Sequence, residues 1–445
     1  MTPKKLILFA ALFAATSLFA AEKIFPYPYV QEDLPNGLRL ITIPNDYPNI
    51  VSLFIVVGTG SRNEVEPGKS GFAHLFEHLM FRGSPEFSPA RYQEVLQKAG
   101  AASNAFTSDD LTAFHTTFSK EDLPQILSME ADRFQHLAYE PAAFKTETLA
   151  VLGEYNKNSA SPTSKLYETL RATAFNTHTY KHTTMGFLAD IKAMPDEYDY
   201  SRQFFDRYYR PEYTTIIVVG DVDAKKVRAL VDERWATWKR GDFKPAITPE
   251  PPQTAPRTAS VTWPSKTLPW IAVAWRAPAY SDDNEDLAAL DAISLMGFGS
   301  TSPLYQKLVI DEQKVDRIGG GASDHIDPEL FTVTSRVRNP ADLKSIEQQI
   351  EATAKQFATV PVDAKKLETL KQHLRYQFAQ SLNNSESIAG TVASYVALRR
   401  TPETINRYYD TYAKLTPEDI QKAAKKYLID NNRTVVTLTA EEGAK

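Results

Sequence analysis

Five prolines fall between Pro245 and Pro256, in the run KPAITPEPPQTAP. Proline fixes φ and removes a backbone N–H, so such a run suits neither a helix interior nor a central strand. It predicts an extended connecting segment over 242–260. That segment divides the chain into 21–241 and 261–445, each long enough to build a core, as a length of 445 residues leads one to expect. The two parts resemble each other. Pro195 opens the helical stretch DEYDYSRQFFDRYY, which leads to the strand-like TTIIVVG at 214–220. Pro417 opens EDIQKAAKKYL, which leads to TVVTLT at 434–439. Apolar strands come early in both, VSLFIVV at 51–57 and WIAVAW at 270–275. The repetition predicts one duplicated unit. Strands and long helices alternate without regular βαβ spacing, so the expected class is α+β, each half a sheet covered by helices. Residues 340–428 read as almost entirely helical.

Composition narrows the function. Hydrophobic residues are 42% and charged residues 24%, which excludes a disordered chain and a multi-span membrane protein. Net charge is −5, with no lysine- or arginine-rich run, so the footprint of a nucleic-acid binder is absent. Lys4 and Lys5 precede an apolar run from Leu6 to Ala15, followed by small residues before Glu22. This is the pattern of a secretory signal, expected over 1–20 with no stable membrane anchor. The expected location is the periplasm or the medium. With no cysteine, disulfides, thiol nucleophiles, thiolate ligands and lipid attachment at cysteine are all excluded.

The chemistry concentrates in Gly71-Phe-Ala-His74-Leu-Phe-Glu77-His78-Leu-Met-Phe-Arg-Gly83. On a helix His74 and His78 lie one turn apart and project from one face. Two imidazoles so placed can fill two corners of a zinc tetrahedron. Glu77 then stands beside the metal, able to take a proton from a metal-bound water and pass it to a leaving amine. The order is H-x-x-E-H. Phe72, Leu75, Phe76, Leu79, Met80 and Phe81 make the helix apolar on most sides, and buried His and Glu need a partner such as a metal. A third ligand must come from Asp, Glu or another His. Glu147 and Glu154, seven apart on one predicted helix face, are both candidates, and spacing does not choose between them. His178 and His182 are also i, i+4, but lack a neighbouring carboxylate and read as a loop. His115, His136, His325 and His373 read as isolated. GFGS at 297–300 and the glycines at 319–321 lack the ending of a phosphate loop and read as turns or bulges.

These motifs make the chain resemble the insulinase/pitrilysin family of zinc peptidases, especially short two-domain members similar to mitochondrial processing peptidase. HLFEH is followed after 75 residues by Glu154 in LGEYNKN. The resemblance implies one zinc per chain with Glu154 as third ligand, and Glu147 as a support for the ligands. The run GAASNAFTSDDLTAFH at 100–115 matches as well. It implies that Asn104 and Ala105 lie on an edge strand and hold the backbone of a peptide substrate by strand addition. The fold implied is two similar halves facing each other across a cavity. The activity implied is zinc-dependent endopeptidase cleavage of peptides or unfolded segments, with a non-catalytic or weakly active scaffold subunit as the alternative. Active members carry an Arg and, seven residues on, a Tyr in the second half. Here Val309 and Asp316 take those places, on what reads as one helix from Ser302, with Arg317 next door. The resemblance therefore also implies a dimer, in which a related subunit supplies the Arg/Tyr pair.

Overall fold

A computed structural model describes residues 23–443, and the expected signal over 1–20 lies outside the described residues. The first half runs β1 (Val30–Asp33), β2 (Arg39–Pro44), β3 (Ile50–Val57), α1 (Phe72–Leu79), α2 (Pro89–Lys98), β4 (Ala102–Thr107) and β5 (Thr112–Ser119). It continues with α3 (Leu123–His136), α4 (Pro141–Ser159), α5 (Pro162–Ala174), α6 (Leu188–Ala193), α7 (Tyr198–Tyr208), β6 (Thr214–Gly220) and α8 (Ala224–Trp235). The second half holds β7 (Arg257–Trp263), β8 (Trp270–Arg276), α9 (Asp286–Ile293), α10 (Pro303–Tyr305), β9 (Val315–Gly321) and β10 (Leu330–Val337). It closes with α11 (Leu343–Thr359), α12 (Ala364–Ser381), α13 (Ser385–Arg399), α14 (Glu403–Lys414), α15 (Pro417–Tyr427) and β11 (Arg433–Ala440).

The first sheet has the order β1-β2-β6-β3-β5-β4 and the second β7-β11-β8-β10-β9. Apart from β1, the second repeats the first. β2 and β6 are parallel, as are β7 and β11, while every other neighbouring pair is antiparallel. β4 and β9 are thus equivalent edge strands.

β3 is apolar on both sides because its sheet is covered on both faces. On one face Phe76, Phe134, Phe204 and Trp235 pack with Leu53, Ile55, Ile216 and Val218. The other face is covered by the opposite half. Ile388, Val392 and Val396 of α13 sit on Phe54, Val56, Ile217 and Val219. The exchange is reciprocal, since Leu166, Leu170 and Ala174 of α5 sit on Ala272, Ala274, Val436 and Leu438 of the second sheet. Each fully buried aliphatic side chain contributes about 1.5–3 kcal/mol, so either seat is worth several kcal/mol.

Several expectations change. Residues 257–260, expected in the connecting segment, belong to β7, where alternating exposure and pairing with β11 override the proline-rich approach. The segment before them is pinned, because the Glu250 carboxylate accepts the backbone N–H groups of Asn176, Thr177 and His178 at 2.8, 2.8 and 3.0 Å. The three glycines at 319–321 form the end of β9 rather than a turn. A Cβ on Gly320 would stand 1.9 Å from the Thr332 carbonyl oxygen, so the close approach of β10 requires glycine there. The stretch from Ser302 is not one helix, since its helical part ends at Asp311 and Asp316 lies on β9.

His325, expected to be isolated, joins the halves instead. Its Nε2 lies 3.0 Å from Asp109 Oδ2, which Arg171 also meets at 2.9 Å. Burial opposes a charged imidazole, yet the hydrogen bond to Asp109 and the nearby Glu329 and Asp110 carry its pKa up to about 9. Asp327 bridges Arg62 at 2.6 Å and His178 at 2.9 Å.

Candidate metal centre

Helix α1 is preceded by Gly71, whose φ of +94° and closeness to the Met185 carbonyl oxygen, 2.8 Å from where a Cβ would be, both demand glycine. The exposed N–H groups of its first turn are met from a distance. Glu64, fully buried, accepts from Gly71 N through one carboxylate oxygen and from Ala73 N through the other, each at 2.7 Å. A carboxylate at a helix N-terminus is favoured by the dipole as well as by the bonds.

The helix presents His74 and His78 to α4, with their rings at 86° to each other. Glu154 Oε2 lies 3.4 Å from His74 Nε2 and 3.6 Å from His78 Nε2. Among the described residues these three side chains form the cluster suited to a metal, their ligand atoms all within 4.8 Å of one another. A tetrahedron with bonds of about 2.0–2.1 Å has edges of roughly 3.4 Å, so two imidazoles and one carboxylate at these separations fit zinc with one corner left open. The His74 ring is nine-tenths buried and its Nδ1 has no hydrogen-bond partner. Burial, with the neighbouring His78, lowers its pKa to about 4 and keeps the imidazole neutral, as a ligand must be.

Glu147 does not join the cluster. It lies 3.3 Å from His78 Nδ1 and is held on its other side by Arg82. The two candidate glutamates thus face different nitrogens of the His78 ring, Glu147 the Nδ1 and Glu154 the Nε2. Glu77 is placed by Thr107, whose hydroxyl donates to Oε2 at 2.8 Å. Burial raises the Glu77 pKa, and the charge of Glu154 adds to the rise. Thr107 ends edge strand β4, which puts Asn104 and Ala105 within the same strand. Asn104 is exposed and Ala105 buried, and the outer edge of β4 carries no strand among the described residues.

The other histidine pair does not converge. His178 meets Asp327, while His182 Nδ1 lies 3.0 Å from its neighbour's carbonyl oxygen. Nor does the second half repeat the centre. In α9, as long as α1, Ala288, Asp291 and Ala292 stand where α1 has His74, Glu77 and His78. Val309 packs against the second core, and Asp316 is taken up by Arg338 at 2.7 Å and Arg336 at 3.7 Å. Glu64, Arg82 and Thr107 carried no signal in the sequence, because each reaches the site only through the tertiary fold.

Two like halves, with an inverted His-x-x-Glu-His helix in the first and a glutamate facing it, define a two-lobed metallopeptidase scaffold. The chain belongs to the insulinase family of peptidases. Residues 39–187 match the family described as insulinase (peptidase family M16), and residues 197–374 match the peptidase M16 inactive domain. The zinc protease PqqE of Helicobacter pylori is 28% identical over 91% of this chain and 91% of its own length. The beta subunit of the mitochondrial-processing peptidase of Blastocladiella emersonii is 20% identical over 91% of this chain and 87% of its own. The crystal structure of a protease from Helicobacter pylori superposes with a TM-score of 0.86 at 27% identity, covering 93% of this chain and 99% of that one. The periplasmic protease PqqL of Escherichia coli shares the fold, with a TM-score of 0.75 at 18% identity over 94% of this chain and 48% of that one.

Proposed function

We propose that the chain is a zinc-dependent endopeptidase that cleaves peptides or unfolded segments between its halves. The observation that carries this reading is the convergence of His74, His78 and Glu154, with Glu77 beside them and outside the ligand set. Zinc held by those three residues would polarise a peptide carbonyl and a water in reach of it. Glu77 takes the proton of the attacking water and delivers it to the leaving nitrogen, a role in keeping with a carboxyl whose pKa burial raises. Thr107 keeps that carboxylate in place. Asn104 and Ala105 hold the substrate backbone along the free edge of β4. Glu147 fixes the His78 ring. The test is zinc analysis together with hydrolysis of a quenched-fluorescent peptide. The purified chain should contain stoichiometric zinc, lose hydrolysis on chelation and regain it when zinc is restored. Hydrolysis undiminished after the metal has been removed would refute the reading.

A second reading, that the chain acts in a pair, is favoured by Val309 and Asp316, neither of which can donate a hydrogen bond to a developing oxyanion. In it a related subunit supplies the Arg/Tyr pair. The location we propose is the periplasm or the medium after removal of a signal over 1–20. Its support is the Lys4-Lys5 start with the apolar run after it, and among the described residues no helix is long and apolar enough to cross a membrane. N-terminal sequencing of the native protein should begin near Ala20 or Ala21, whereas Met1 retained in washed membranes would overturn the assignment.

A further inference from the structure

A cavity of about 380 Å³ lies between α4 and α5 on one side and strands β8, β9 and β10 on the other. It adjoins the metal centre, because α4 carries Glu154, and Tyr155 and Asn158, the next residue and one turn on, form part of its wall. The opposite wall is Trp270 with Arg317. The Arg317 guanidinium stands 4.7 Å above the Trp270 ring, and that of Arg336, its cross-strand partner, 5.9 Å from the same ring. An indole under two cations is a rigid, preformed platform.

The charges around this cavity do not balance. Glu168 is already engaged, by Lys165 at 3.0 Å and by the Tyr155 hydroxyl at 3.0 Å. Arg336 has Asp316 at 3.7 Å, although its Nε is buried without a partner. Arg317 has neither a carboxylate nor a hydrogen-bond acceptor among the described residues, and it opens on the cavity. A guanidinium fixed on a ring face, with its donors free, is matched by a carboxylate, which it can take through two parallel hydrogen bonds.

We propose that Arg317, supported by Trp270, binds a carboxylate of the peptide substrate beyond the metal centre. The group is either an Asp or Glu side chain or the C-terminal α-carboxylate. Arg317 is then a specificity determinant rather than a catalytic residue. The inference rests on the peptidase reading, so binding and cleavage are measured separately. Binding to the Glu77→Gln chain is followed by fluorescence anisotropy with labelled decapeptides that carry Glu or Gln at each position in turn. Each is made with a free or an amidated C-terminus. Hydrolysis of the same set is followed with the wild-type chain.

A single acidic position, or the free C-terminus, should bind roughly 10- to 100-fold more tightly than its neutral counterpart, the range of a charge-assisted pair. The arm that shows the preference identifies the source of the carboxylate. Arg317→Gln should reduce that preference to within about twofold, and Arg317→Lys should keep part of it. Thermal unfolding of both variants at the wild-type temperature keeps the comparison valid. Equal binding of every acidic and neutral pair by the Arg317-bearing chain would overturn the proposal, as would a preference that survives Arg317→Gln. If the preference in binding is present but wild type cleaves no peptide, it is the peptidase reading that fails.

Discussion

Glu77→Gln should lower kcat by roughly 10³-fold, within the range of 10² to 10⁴ expected for a general base, and leave zinc content unchanged. The reasoning is positional. Glu77 is hydrogen-bonded to Thr107, not to a ligand, so an amide at that place keeps the shape of α1 and the His74–His78–Glu154 cluster. It cannot accept a proton. His74→Ala or Glu154→Ala should instead lose both the metal and the activity, because two remaining ligands do not hold zinc against dilution. Metal analysis of the purified variants, with peptide hydrolysis on the same samples, separates the two outcomes. Near-wild-type turnover by Glu77→Gln would refute the assignment of the base.

Adding a related subunit that carries the Arg/Tyr pair should raise kcat/KM by about 10²- to 10³-fold, the value of one oxyanion donor. The purified chain alone should be weakly active. Val309 has no polar group, and Asp316 is negatively charged and held by Arg338 and Arg336, so no donor stands at either place. Co-purification from the native source followed by titration of the separated subunits checks this. Full activity in a preparation shown to be monomeric by light scattering would sink it.

What could be read from the sequence follows the range of the interactions. His74, Glu77 and His78 were legible because their geometry is set within two turns of one helix. Glu147 and Glu154 were legible as a pair on one face. Choosing between them needs the angle at which α4 crosses α1, which periodicity does not carry. Glu64, Arg82 and Thr107 act across tertiary contacts and left no pattern. The glycines at 319–321 read as turns or bulges because glycine usually punctuates strands, whereas here the reason for glycine is the Thr332 backbone lying against β9. His325 looked isolated because its partner Asp109 lies in the other half.

Which sheet α5 and α13 each cover is not legible in the sequence, since either helix sits on the sheet of the opposite half. Their exchange bears on how the protein is made. A chain emerging from the ribosome completes the first sheet when β6 appears, yet Phe54, Val56, Ile217 and Val219 stay bare until α13 has been synthesised. For that interval the nascent chain shows an apolar face that its own finished half cannot hide. Such a face invites aggregation or capture by a holding chaperone. Neither half expressed separately should stay soluble, and the two should rescue each other only when produced together.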